Sequence, residues 1–305
     1  MKRAMITGAT GVIGHALVTK LVERGVEVLV LTHRGSARNK IIPEHELVTL
    51  MEVDISELDQ VENQAADRYD VFFHLAWTGT RGATRDDARL QSDNIRYSVD
   101  AVRLASRFGC KTFVGIGSQA EYGRYEGQLS PDTPAKPETC YGIAKYATGM
   151  LTREAAGRLG MKHIWVRVVS VYGPQDGANT MVMSMIGKLR RGETPQLTKG
   201  EQMWDYLYSG DAAEALICLS EKGIQGKTYV LGSGQAQPLH QYFRLIRDAV
   251  NPDAELALGA IPYAERQVMY LCADISQITE DTGWRPEIPF SEGIRRTLRA
   301  TATDT

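Results

Sequence analysis

Cysteine is scarce in this 305-residue chain, with four residues at 110, 140, 218 and 272. No C-x-x-C pair occurs, and no histidine stands at zinc-ligand spacing from any of them, which points to free thiols in a reducing compartment and to no metal site. Excess positive charge is missing too. Lys plus Arg is 35 against 37 Asp plus Glu, a formal net charge of −2, so no nucleic-acid partner is called for. No run reaches the ~18 apolar residues of a membrane span. The apolar stretch behind Met1-Lys2-Arg3 is too short for a signal peptide and has no cleavage site after it. A cytoplasmic protein with no membrane partner is the expectation. Proline is sparse, 11 residues against 29 Gly, which fits many short turns better than a linker-rich array. With 43% apolar and 24% charged residues, disordered and collagen-like chains are excluded. The length allows one large α/β domain or two lobes, with a small-molecule enzyme as the default.

What is present begins at the N-terminus. Ala4 to Thr7 reads as a short buried strand that runs into Gly8-Ala9-Thr10-Gly11-Val12-Ile13-Gly14 and then a helix through Leu17, Leu21 and Val22. Strand, glycine turn and helix in that order suit a dinucleotide: the turn is tight, the backbone must approach a pyrophosphate, and the helix N-terminus offers N–H groups to it. The next strand, Val26 to Leu31, ends at Thr32-His33-Arg34. An NAD-selective site would place a carboxylate there on the ribose 2′-hydroxyl. Thr32 followed by Arg34, with Arg38 nearby, favours NADP, because a guanidinium can grip a 2′-phosphate that a carboxylate would repel. NAD is the alternative, with both arginines then solvated loop residues.

Two further strands, Leu47 to Val53 and Asp70 to Trp77, precede a helix over Asp87 to Phe108 and a strand over Thr112 to Ile116. Strands alternating with helices predict a parallel, doubly wound sheet. His74, with no ligand partner near it, reads as a packed or hydrogen-bonded residue. Ser118 falls at the carboxyl edge of the sheet, where open α/β folds keep their ligands. Tyr141 and Lys145, at i and i+4, share one face of a following helix. The chemistry that uses such a set is proton exchange with an alcohol or ketone coupled to hydride transfer. Lys145 would lower the phenol pKa of Tyr141 and hold the nicotinamide ribose, and Ser118 would hold the reacting oxygen.

The ordered set Thr7–Gly14, His74-Leu75-Ala76-Trp77, Ser118-Gln119-Ala120-Glu121-Tyr122-Gly123, Tyr141 to Lys145, Arg167 to Pro174 and Gly283-Trp284-Arg285-Pro286 spans nearly the whole chain. It resembles the extended short-chain dehydrogenase/reductases of the NAD(P)-dependent epimerase/dehydratase family, which act on nucleotide-activated sugars. The resemblance implies a Rossmann sheet over 1–171, rejoined by 204–222, with a smaller substrate-binding lobe from 172–203 and 223–305. It also implies Asp54 at the adenine, with Ile55, Leu75, Ala76 and Val168 at the cofactor. Gln119, Ser170, Trp204 and Arg266 would lie at the substrate, Arg266 as its phosphate ligand. Ser118-Gln119-Ala120 stands where 4,6-dehydratases have Thr-Asp-Glu, so dehydration is not expected. The leading expectation is NADPH reduction of a 4-keto-6-deoxy sugar at C4. The alternatives are a nucleotide-sugar 4-epimerase with tightly held NAD and, from another class, a non-catalytic dinucleotide sensor. A homodimer through the helices Asp87 to Phe108 and Tyr141 to Leu159 is implied as well.

Overall fold

A computed structural model describes residues 1–64, 66–265 and 267–301. Seven parallel strands form the central sheet: β1 Arg3–Thr7, β2 Glu27–Thr32, β3 Val48–Glu52, β4 Val71–His74, β5 Thr112–Ser118, β6 Lys162–Val168 and β7 Thr228–Leu231, in the spatial order β7-β6-β5-β4-β1-β2-β3. The inner strands read as nearly continuous apolar runs because both faces are covered. Side chains alternate between two cores. Ala4, Ile6, Val28, Val30 and Phe73 pack with helices α1 (Val12–Glu23) and α5 (Ser209–Lys222), whereas Met5, Leu29, Leu31 and Phe72 pack with α2 (Ala88–Arg107) and α3 (Cys140–Arg158).

The order reverses between β1 and β4, and a doubly wound sheet opens its ligand crevice at the carboxyl ends of such a pair. Thr7 lies beside His74 in that register. The fourth strand stops at His74 rather than Trp77, because the Leu75 and Ala76 amides turn to the Thr7 carbonyl and hydroxyl at 3.2 and 3.3 Å. Ser118 is the last residue of β5, paired with Val168 of β6, not a residue beyond the strand.

A second lobe is built from α4 (Met181–Arg190), α6 (Leu239–Val250) and α8 (Phe290–Ala300), which meet around Tyr172, Tyr242 and Phe243. Three small sheets of two or three short strands flank it among the described residues. Two corrections to the expected division follow. Residues 228–231, assigned from sequence to the substrate lobe, form β7 and extend the main sheet. The helix α7 (Ser276–Thr282) and Trp284 join the core of α1 and α5. Four residues, Thr-Tyr-Val-Leu, carry too little pattern to say which lobe a strand will join.

Asp205 ties these segments together. Its fully buried carboxylate accepts from the Ser233 amide and hydroxyl at 2.7 and 2.6 Å and from the Gly234 and Ala273 amides at 3.0 Å. No helix among the described residues is long and apolar enough to cross a membrane.

Candidate active site

The glycine turn shapes one wall of the crevice. Gly8 has φ +77°, and a Cβ there would lie 2.7 Å from the Ala76 amide nitrogen; a Cβ on Gly14 would lie 2.2 Å from the Gly8 carbonyl. Both are therefore required by the protein itself. Gly11 is different: its Cβ would make only an ordinary contact, 3.5 Å from the Gly8 carbonyl. It is the N-cap of α1, and no side chain caps the helix. The first-turn N–H groups thus lack side-chain acceptors, and a pyrophosphate fits against them.

A cleft of about 780 Å³ follows from this turn, bounded by Gly8, Thr10, Gly11 and Val12, by Thr32, His33, Asp54 and Ile55, and by Leu75, Ala76 and Trp77. Most expected cofactor contacts thus line one space. Ile13 and Gly14 do not line it; Ile13 packs on the core and Gly14 on the turn. Arg34 is also absent from the lining and pairs with Glu57 at 3.1 Å. Arg38 is the arginine at the cleft, and it donates to the Thr10 carbonyl at 2.5 Å. Asp54 is in contact with His33.

Ser118, Tyr141 and Lys145 come together behind Trp77. Thr139 caps α3 by accepting from the Gly142 amide at 3.1 Å. Gly142 lets the helix close on the Ser118 turn, since a Cβ there would sit 2.3 Å from the Ala120 carbonyl. Tyr141, 9% exposed, is hydrogen-bonded to Ser118. Burial raises its phenol pKa, and Ser118 and the Arg85 guanidinium act in the opposite direction. Val168 lies beside Ser118 on β6.

Two cations, Lys145 and Arg85, stand near the phenol. Lys145 is the farther of the two from its ring. Its ammonium donates to the Ile116 carbonyl at 2.7 Å and stands 3.7 Å from the centre of the Trp77 ring, but 5.9 Å from that of Tyr141. Arg85 holds its guanidinium 4.5 Å from the Tyr141 ring centre.

Burial pushes Lys145 down to about 7, against the pull of Glu121. The ordinary value is 10.5, so between these limits the unfolded chain binds a proton that the folded protein does not. Folding stability from this group therefore rises with pH over that window. Relative to Lys145→Met, the ligand-free wild type should gain about 1.4 kcal/mol per pH unit from pH ~7 to ~10.5. Chemical denaturation at several pH values measures the difference, and a pH-independent gap would show that Lys145 titrates normally.

Glu121 lies directly behind the triad and is fully buried. It accepts from the Ser118 amide at 2.9 Å, from the Trp165 indole at 3.1 Å and from Arg167 Nε at 2.7 Å. With Ser118 it forms a capping box, whose S-x-x-E spacing was readable in the sequence. Burial pushes its carboxyl upward, and Arg167 pulls it down. Arg85 had no such signal, because nothing in Gly82–Asp86 announces a 3-10 turn that faces the start of α3.

His74 accepts or donates to Thr7 at 2.9 Å and Ser98 at 3.1 Å, and burial lowers it to about 3. It is a neutral, packed histidine, and no cluster of potential metal ligands occurs among the described residues. Ser170 and Trp204 are brought together, the indole donating to the Ser170 hydroxyl at 2.9 Å. Gln119 begins the short turn after Ser118 and is partly exposed. Arg266 lies outside the described residues.

Known proteins resemble the chain along its whole length. The UDP-glucose 4-epimerase of Thermotoga maritima, solved with UDP-glucose, is similar at a TM-score of 0.87 and 25% identity over 99% of both chains. The UDP-glucose 4-epimerase of Thermus thermophilus, solved with NAD, has a TM-score of 0.86 at 20% identity, covering 99% of this chain and 100% of the other. An Escherichia coli dTDP-4-dehydro-6-deoxyglucose reductase is 22% identical over 306 residues, 97% of this chain and 96% of the relative. The NAD dependent epimerase/dehydratase family matches residues 4–232, and with its glycine turn, reversed sheet and Ser-Tyr-Lys cluster the chain belongs to that family.

Proposed function

We propose that the protein is a nucleotide-sugar 4-epimerase that retains NAD. The observation that carries the chemistry is the Ser118–Tyr141–Lys145 cluster, its tyrosine and lysine buried, with Gln119 and Ala120, not carboxylates, after the serine. Tyr141 takes the proton of the sugar C4 hydroxyl and later returns a proton to the C4 oxygen, with Ser118 holding that oxygen. A bound nicotinamide supplies the hydride exchange at C4. Lys145 would hold its ribose after leaving the Ile116 carbonyl. The pairing of Arg34 with Glu57 weakens the case for a 2′-phosphate, and the Thermotoga likeness supports epimerisation.

A second function, NADPH reduction of a 4-keto-6-deoxy sugar, is favoured by Thr32 in place of a carboxylate and by Arg38 at the cleft. Gly177 lines the cleft at the glycine turn, and Asn179, two residues on, lines a separate cavity of about 320 Å³ bounded by Met185, Leu197 and Phe243, which would take the nucleotide of either substrate. One experiment separates the two functions. Mass spectrometry identifies the dinucleotide that copurifies, and UDP-glucose and UDP-galactose are then tested for interconversion without added cofactor. Bound NAD with interconversion supports the epimerase; stoichiometric NADPH oxidation by a dTDP-4-keto-6-deoxy sugar, with no interconversion, overturns it.

A homodimer is also inferred. Ile143, Tyr146 and Met150 form an exposed apolar stripe on α3, and Ile95 and Val99 of α2 are partly exposed. Sedimentation should give a dimer for the wild type and a shift toward monomer for Met150→Glu.

A further inference from the structure

We propose that Arg85 is a positioning residue for proton transfer: its guanidinium, held against the Tyr141 ring, adds a positive field that favours the phenolate. The proposal rests on Tyr141 being the proton-transfer group.

The geometry is fixed from several sides. Arg85 lies on the 3-10 turn Gly82–Asp86, and the loop that leads to it is clamped by two buried amides of α2. Gln91 donates to the Gly79 and Thr84 carbonyls at 2.8 and 2.9 Å and accepts from the Trp77 indole at 2.9 Å. Asn94 exchanges hydrogen bonds with the Thr78 backbone in both directions, each at 2.9 Å. At the far end of the turn, Asp86 accepts from the Cys140 amide at 3.3 Å, directly before Tyr141. The turn that carries the guanidinium is thus fastened both to α2 and to the first residue of the catalytic helix.

Of the two cations near the phenol, Arg85 is the closer to its ring. From its own helix Tyr141 faces Lys145, whose ammonium donates to the Ile116 carbonyl and stands 5.9 Å from the Tyr141 ring centre. From β5 and its turn it faces Ser118 and Glu121, and the carboxylate opposes ionisation of the phenol. From the loop before α2 it faces Arg85, 4.5 Å from the ring centre. Among the described residues no carboxylate lies within ion-pair distance of Arg85, although its neighbour Arg81 pairs with Asp176 at 3.1 Å. An unpaired guanidinium beside an aromatic face lowers the energy of an anion formed on that ring, and it cannot itself lose a proton. The arginine therefore acts as a fixed cation, unlike Lys145, whose charge changes near neutral pH.

The test uses the full-length protein with its dinucleotide bound. Arg85→Met should move the limb of the kcat profile that reports the phenolate upward by roughly one pH unit or more, with KM for the sugar nucleotide unchanged. Arg85→Lys should restore most of the shift. Tyrosinate absorbance, taken as the difference between each protein and its Tyr141→Phe partner, should move in the same sense and needs no turnover. That second readout separates this inference from the catalytic role: retained turnover in Tyr141→Phe would defeat the role, whereas an unmoved tyrosinate titration in Arg85→Met would defeat the inference. A raised KM with an unmoved limb would also overturn it, since Arg85 would then bind substrate. So would equal impairment of the Lys and Met variants, which would make shape rather than charge the cause.

Discussion

Tyr141→Phe should lower turnover by about 10²–10⁴-fold, the usual contribution of a positioned acid or base, while leaving dinucleotide affinity nearly intact. The substitution removes a single oxygen from a ring that is otherwise locked, edge-on to Trp77 at 6.0 Å and under Arg85. Of the groups that touch the phenol, Ser118 carries an ordinary hydroxyl and Arg85 does not release a proton. Calorimetric titration with NAD checks that binding survives, and product analysis with UDP-sugars reads the loss. Wild-type turnover in the variant would remove Tyr141 from the mechanism.

The second large effect is on stability. Glu121→Ala should cost about 3–5 kcal/mol, because it strands the buried Arg167 charge without its partner. It also removes the acceptor for the Ser118 amide and the Trp165 indole. A fall in Tm on the order of ten degrees is the expected readout. Glu121→Gln keeps an acceptor for the serine turn and should lose less. The paired change Glu121→Leu with Arg167→Met removes both charges and should recover much of the loss. Equal stability of Glu121→Ala and wild type would mean that Arg167 finds another partner or water.

These two residues mark how far the sequence could be read. Tyr141 was visible because helical spacing puts it beside Lys145, and Ser118 because a strand end is a place where ligands bind. The glycine turn was visible because few other residues survive a positive φ next to a crossing backbone. Arg85 was not visible. Its place beside Tyr141 is a contact between residues 56 positions apart, and neither periodicity nor spacing within Gly82–Asp86 records it. Lys145 shows a different limit: helical spacing brings it to the side of Tyr141 but does not say where its flexible stem ends, here at a backbone carbonyl. Arg34 and Arg38 show the same thing at the cofactor. Two arginines in one loop were equivalent as letters, and Glu57 separated them. The lobe boundary failed at β7 for want of length, since a strand of four residues can serve either side.

Asp205 has a consequence for the order in which the chain can be completed during synthesis. Two of its four hydrogen bonds come from Ser233, one from Gly234 and one from Ala273. Until Ala273 leaves the ribosome, the carboxylate lacks one of the donors that make its burial tolerable. The β7 strand at residues 228–231 can already be seated on β6 at that stage, but the strand–turn segments between the lobes cannot close around the acid. The nascent protein should therefore hold an assembled dinucleotide sheet beside an unsealed substrate lobe until the last part of the chain is made.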